Sequence, residues 1–457
     1  MHRVLLPRFA HALDVAGGGM AVLVSKQTQR AKTELLAKMP RVASPGIPMH
    51  PASVRVVLAA LLLVLNSPTG AAGQCVEPRF APARTVAVVA APSAVAAADF
   101  NDDGQTDLAV ANRGANTVSI LAGDGTGGFG PGATVTVGTE PSCVAVVDLN
   151  NDGRRDLAVA NSGSGDVSVL LGEAAGGFGT AVSVAVSAPT CVAAADLNGD
   201  GVPDLIVTSA ASGAVWVLLG DGTGGFAAAT PLPVGREPQS AAVGDFGSIS
   251  DWAEDESPDL AVPNAGSNTV SVLRGDGQGG FGTAADFPVG VRPVSLVAYD
   301  FDGDGRLDLV TANHDSDNVS ILLGDADRGF GVGTIRDAGL GPSAVTIGDF
   351  NGDGNVDLAV ANTDSRDVSV LLGDGKGDFA AGKKFAVAGA PTALIAADVN
   401  GDGRLDIVTA NQGNNTITIL LNTCTPTRWI PLLVAVSTGL VGTLLVVLFW
   451  RRRRRQA

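Results

Sequence analysis

The chain has 457 residues but only one tyrosine, four histidines, four tryptophans and four cysteines, and aromatic residues make up 4%. His2, His11 and His50 precede the apolar run that begins near Val54, which leaves His314 alone beyond it. One histidine builds neither a Ser–His–Asp site nor a three-histidine zinc site. His314 lies in "ANHDSDN" and reads as a solvated turn residue. Basic residues are also short: 30 Lys and Arg face 46 Asp and Glu, a formal net charge of −16. Without a basic face to neutralise phosphates, nucleic acid is not expected as a partner. Lysine and glutamate are scarce, while glycine (60 residues), valine and alanine abound. That balance suits short strands joined by tight turns, not helices.

What the chain has in quantity is a repeat. "DFNDDGQTD" opens at Asp99, and related stretches open at Asp148, Asp196, Asp245, Asp300, Asp349 and Asp398. A period near 50 residues signals a propeller or solenoid. The first unit carries four candidate strands, "SAVAAADF", "TDLAVAN", "TVSILAG" and "ATVTVG". Four short strands per unit make a propeller blade. The seventh unit stops after "NTITILLN" and lacks its fourth strand, while "RFAPARTVAVVAAPSAV" near the start matches "GFGPGATVTVGTEPSCV". Residues 80–89 are therefore expected to complete the last blade, because a closed ring leaves no open edge. The expected fold is an all-β, seven-bladed β-propeller with calcium loops over residues 74–428, plus one C-terminal transmembrane helix.

The loop pattern is D-x-N/D-x-D-G-x-x-D, with candidate donors at positions 1, 3, 5, 7 and 9. In that order the first loop offers Asp99, Asn101, Asp103, Gln105 and Asp107. The second offers Asp148, Asn150, Asp152, Arg154 and Asp156, and the third Asp196, Asn198, Asp200, Val202 and Asp204. The fifth offers Asp300, Asp302, Asp304, Arg306 and Asp308. The sixth offers Asp349, Asn351, Asp353, Asn355 and Asp357, and the seventh Asp398, Asn400, Asp402, Arg404 and Asp406. Position 7 shares no side-chain chemistry, as expected where only its backbone carbonyl is used. Hard cations such as calcium take six to eight oxygens of this kind. Asp, Asn and Gly are also ordinary turn formers. Clustered aspartates in one tight turn nevertheless repel without a counter-ion, so about six structural calcium sites are expected. Position 12 of the first loop is Val110, not the bidentate glutamate of an EF-hand.

The fourth copy, "DFGSISDWAEDESPD", is six residues longer and has Glu256 where the turn glycine belongs. Asp245, Asp255 and Asp259 match positions 1, 5 and 9 of a degenerate site, and Asp251 and Glu254 are further candidate ligands there. Drift of a dispensable site and a partner contact through Trp252 both remain open. Trp216 replaces the serine of "TVSIL"-type strands and reads as packing.

A second element, "GGFG", recurs at Phe129, Phe178 and Phe281, and with small changes at Phe226, Phe330 and Phe379. With both motifs in view, Phe80 to Asn422 resembles the FG-GAP and VCBS repeat families, the integrin-alpha-like propellers. The resemblance implies calcium loops joining the first two strands of each blade on one rim. It implies ligand contact at the other rim, built here by turns such as "RGAN" and "VGTEPS". The expected role is adhesion, ligand recognition or protein scaffolding, with a protein or glycan ligand and no enzymatic activity. A carbohydrate-binding, lectin-like propeller is the alternative, though no exposed aromatic repeats from blade to blade. A propeller-based hydrolase or lyase ranks behind it, since most carboxylates belong to the loops.

The two ends speak of a membrane. Val54 to Gly73 has a basic start, an apolar run and a small-residue tail, so residues 49–73 read as a signal peptide. Residues 1–48 are an extension of unknown role or a mis-assigned start, with translation opening at Met49 or Met39. Residues 429–450 carry no charge between two terminal tryptophans, and 451–457 form a basic tail. That grammar predicts a spanning helix with a cytoplasmic tail and the propeller outside, at the cell surface or periplasmic face. Cys75 and Cys424 flank the expected ring closure and are expected to form a disulfide. Cys143 and Cys191 occupy equivalent positions in neighbouring units, as a pair or as buried thiols.

Overall fold

The hexapeptide Asp107–Asn112 is buried at all six positions, and so are its counterparts beginning at Asp156, Asp204, Asp259, Asp308, Asp357 and Asp406. A strand buried on both faces needs apolar side chains at successive positions, which Leu-Ala-Val supplies. The computed structural model describes residues 75, 77–227, 230–247, 257–325, 329–331, 333–424, 430–436 and 445–451. In it each hexapeptide is the second strand of a four-stranded antiparallel sheet, and seven such sheets form a propeller. The first blade runs Pro92–Ala98, Asp107–Asn112, Thr117–Gly123 and Phe129–Thr136. Six blades follow chain order. The seventh takes Pro391–Ala397, Asp406–Asn411 and Thr416–Leu420 and borrows Arg84–Ala87 from the other end of the chain. Arg84 lies opposite Ile419 and Ala87 opposite Thr416, with a further bridge between Phe80 and Asn422.

The core is divided into seven apolar clusters, one between each pair of neighbouring blades. Strand periodicity explains this. Leu108 and Val110 turn to the cluster shared with the seventh blade, and Ala109 turns to the one shared with the second. Burying a leucine or valine stabilises by roughly 1.5–3 kcal/mol, so the blade junctions carry the stability of the ring. The phenylalanine of each "GGF"-type turn adds to the preceding junction. Phe178 packs on Phe100 (5.8 Å between ring centroids), Phe330 on Phe246 (6.0 Å) and Phe379 on Phe301 (5.3 Å). Phe80 takes the same role for the seventh blade, beside Phe350 at 6.3 Å.

Cys143 and Cys191 form a disulfide between the first strands of the second and third blades. Cys75 and Cys424 are disulfide-bonded as well, and no cysteine is free.

The C-terminal transmembrane helix expected over residues 429–450 is not formed. Ile430–Val436 and Leu445–Arg451 are instead two antiparallel strands, with Ile430 opposite Arg451 and Val436 opposite Leu445. Among the described residues no helix is long and apolar enough to cross a membrane. Hydropathy alone does not separate helix from strand in an apolar run. Here the run is rich in β-branched valine and interrupted by Gly439 and Gly442, and both features disfavour a helix. This hairpin belongs to a unit distinct from the propeller. The leader at 1–48, the signal peptide at 49–73, Trp252, Asp251, Glu254, Asp255 and the tail beyond Arg451 lie outside the described residues.

Candidate metal centre

Each intact loop folds on its own side chains. In the first, Asp99 accepts the N–H groups of Asp103 (3.2 Å) and Gly104 (2.7 Å). Asn101 accepts the N–H of Asp103 at 2.9 Å, and Asp103 that of Gln105 at 2.8 Å. The sixth and seventh loops repeat the scheme through Asp349, Asn351 and Asp353, and through Asp398, Asn400 and Asp402. These bonds fold positions 1, 3 and 5 back over the turn. In the fifth loop, carboxylate oxygens of Asp300, Asp302 and Asp304 all lie within 4.8 Å of one another. The other five intact loops place an asparagine carbonyl at position 3 instead. Position 6 is a glycine with positive φ, such as Gly104 at 79°. Position 4 is left-handed too, and it is Asp102, Asn151 or a glycine. Only residue types that tolerate this conformation stand there, a signal the motif reading overlooked.

Position 9 does more than the sequence suggested. One oxygen of Asp107 accepts the N–H of Phe100 (3.1 Å), and the other accepts that of Gly123 (2.8 Å). The carboxylate thus straps the start of the loop to the end of the third strand. All seven blades have the strap, through Asp156, Asp204, Asp259, Asp308, Asp357 and Asp406. A Cβ on Gly123 would sit 2.2 Å from the carbonyl oxygen of Thr106, which explains the glycine at that strand end.

The straps are electrostatically costly. Burial pushes Asp357 and Asp406 up to about 7, and Asp259 and Asp308 up to about 6, against the pull of their two N–H donors. Asp107, Asp156 and Asp204 are raised for the same reason, with the position 1 and 5 carboxylates adding repulsion. A cation on the loop would relieve both effects. Three loops carry part of one already, because the position-7 arginine reaches the position-5 carboxylate. Arg154 meets Asp152 at 3.1 Å, Arg306 meets Asp304 at 3.6 Å, and Arg404 bonds Asp402. Side-chain chemistry is therefore shared at position 7 in part of the series. Such exposed pairs are worth only about 0–1 kcal/mol each. The remaining donors are all oxygen, at positions 1, 3, 5 and 9 and the position-7 carbonyl, and this set fits a hard divalent ion.

Among the other expected residues, Trp216 is half-buried against the cluster between the second and third blades. His314 opens a one-turn 3-10 segment, and its Nδ1 lies 2.7 Å from Asp315. In the fourth loop Asp245 and Asp259 are placed, with Gly247 donating its N–H to Asp245 at 3.0 Å.

The profile of the FG-GAP-like repeat matches six times, at residues 99–159, 148–207, 196–248, 251–311, 300–360 and 349–409. The chain belongs to the FG-GAP-like repeat family. No curated protein matches the chain. Among solved structures, BBS1N in complex with ARL6DN is similar at 15% identity and a TM-score of 0.56, over 77% of this chain and 99% of that one. A catalytically inactive virginiamycin B lyase from Staphylococcus aureus, solved with quinupristin, is similar at 13% identity and a TM-score of 0.52. There 75% of this chain and 99% of that one are covered. At these identities an FG-GAP propeller shares the ring with them and nothing finer.

Proposed function

We propose that this FG-GAP propeller is an extracytoplasmic recognition or scaffolding module whose loops bind calcium for stability. The observation that carries the reading is the convergence of Asp300, Asp302 and Asp304, in a loop design used six times. Positions 1, 3, 5 and 9 would hold the ion, together with the position-7 carbonyl. The ion would neutralise carboxylates that folding brings together. Its binding energy would then add to folding energy. The Cys143–Cys191 disulfide and the absence of free thiols support an oxidising compartment. A protein or glycan ligand on the rim away from the loops completes the reading. A thermal melt of the purified protein with calcium and with chelator, alongside metal analysis, tests the ion. An unchanged melt with no bound metal overturns the calcium role. Capture of surface proteins against a glycan array tests the ligand class.

A further inference from the structure

The fourth loop does not have the donor set of its siblings. Gly247 stands where they have Asn or Asp, and Glu256 where they have Gly. The blade nevertheless keeps Asp259, strapped to the N–H groups of Phe246 and Gly275 at 2.8 Å each. The carboxylate is 1% exposed. A charge so placed needs a partner.

One residue at the end of the same blade's third strand breaks its own series. Its counterparts are Ala122, Leu171, Leu219, Leu323, Leu372 and Leu421, and here it is Arg274. Its side chain is 7% exposed, and its Nη1 donates to Asp259 at 3.4 Å. A guanidinium does not shed its proton, so this is a permanent buried cation beside the strap. The leucines it replaces fill a different place. Leu219 packs against Gly279 of the next blade and Leu421 against Gly127, where even an added Cβ would come within 2.8 and 2.6 Å. In the sequence two residues depart from their series together, the leucine replaced by Arg274 and the glycine of the next unit's "GGF"-type turn by Arg328.

We propose that the Arg274 guanidinium replaces the metal ion in the fourth blade, so that the ring holds six ions and one internal cation. This rests on the calcium reading of the six sibling loops and extends it. Removing one partner of a buried pair strands the other charge, whereas removing both does not.

Hydrogen exchange of the strap amides in the full chain tests it. On chelation, Phe350 and Gly373 and their counterparts in the other intact blades are expected to lose protection, while Phe246 and Gly275 keep it. In Arg274→Leu, Phe246 and Gly275 exchange about a hundredfold faster with or without calcium. Arg274→Lys retains part of the protection, and adding Asp259→Asn to Arg274→Leu restores part of it at the one strap amide that keeps a carbonyl acceptor. Metal analysis of the wild type returns six ions. Seven ions, loss of the Phe246 and Gly275 amides in step with the rest, or unchanged protection in Arg274→Leu overturns the proposal. If chelation moves no strap, the calcium reading fails by itself, and the Arg274→Leu arm still decides the ion pair. Should Arg274→Leu not fold, the chelation pattern of the wild type and the Arg274→Lys variant decide.

Discussion

The Thr392 hydroxyl donates to the carbonyl oxygen of Pro92 at 3.3 Å, across 300 residues of sequence. The same bond joins Ser93 to Pro141, Ser142 to Thr190 and Ser343 to Pro391, each time linking the first strand of one blade to the next. The seventh blade therefore meets the first through the contact that joins consecutive blades elsewhere. Closure also depends on Phe80, which packs edge-on to Phe385 at 4.8 Å in the place of a turn phenylalanine. Phe80→Ala should cost about 2 kcal/mol, below the range for a fully buried ring because Phe80 is half-buried. Denaturant unfolding with an unchanged m-value measures it, and a loss under about 0.5 kcal/mol would show that the borrowed strand contributes little.

Positions 5 and 9 of one loop should separate metal binding from folding. Asp357 carries the strap to Phe350 and Gly373, whereas Asp353 accepts only local N–H bonds. Asp357→Asn turns one acceptor into a donor facing an N–H, so it should destabilise by about 1–3 kcal/mol both in calcium and in chelator. Asp353→Asn should weaken calcium binding and leave the chelated protein nearly unchanged. Equal effects of the two variants in chelator would remove the distinction.

The ring was legible in the sequence because its period, its four strands per unit and its missing last strand are all local patterns. The turn built by positions 1, 3 and 5 was legible because Asp and Asn side chains fold back on the N–H groups of a tight loop. The strap was not, since nothing local ties Asp107 to Gly123, 16 residues away. The reading of residues 429–450 failed for the opposite reason. Hydropathy alone does not separate helix from strand, and the valines and two glycines of this run favour the strand.

The disulfide between Cys143 and Cys191 encloses one full repeat, at a sequence separation of 48. Closing a loop of that length in the unfolded chain contributes up to about 4 kcal/mol by chain entropy. Both sulfurs belong to inner strands whose backbone pairing does not need the bond: Cys143 faces Ala160, and Cys191 faces Thr208. The Cys143→Ala, Cys191→Ala double variant should therefore keep the fold and its calcium response while melting several degrees lower. A variant that fails to fold would assign the bond a role in assembly instead.

The straps also set the pH response, with a sign that depends on the metal. Burial raises Asp357 and Asp406 to about 7 and Asp308 to about 6 in the folded protein, against about 4 in an unfolded chain. Between those values the native state binds more protons than the unfolded state. Stability of the metal-free protein must then fall as pH rises through the window. Acids held low by hydroxyl and N–H donors, such as Asp124 and Asp221, lose their contribution only below about pH 4 and do not offset this. Relief of the net charge of −16 on acidification acts in the same direction. Bound calcium would reverse the dependence, because the ion would compete with protons for the same carboxylates. In chelator the melting temperature should drop from about pH 5 to about pH 8, and in excess calcium it should rise over the same interval. Parallel curves in the two conditions would mean that the strap carboxylates do not sense the ion.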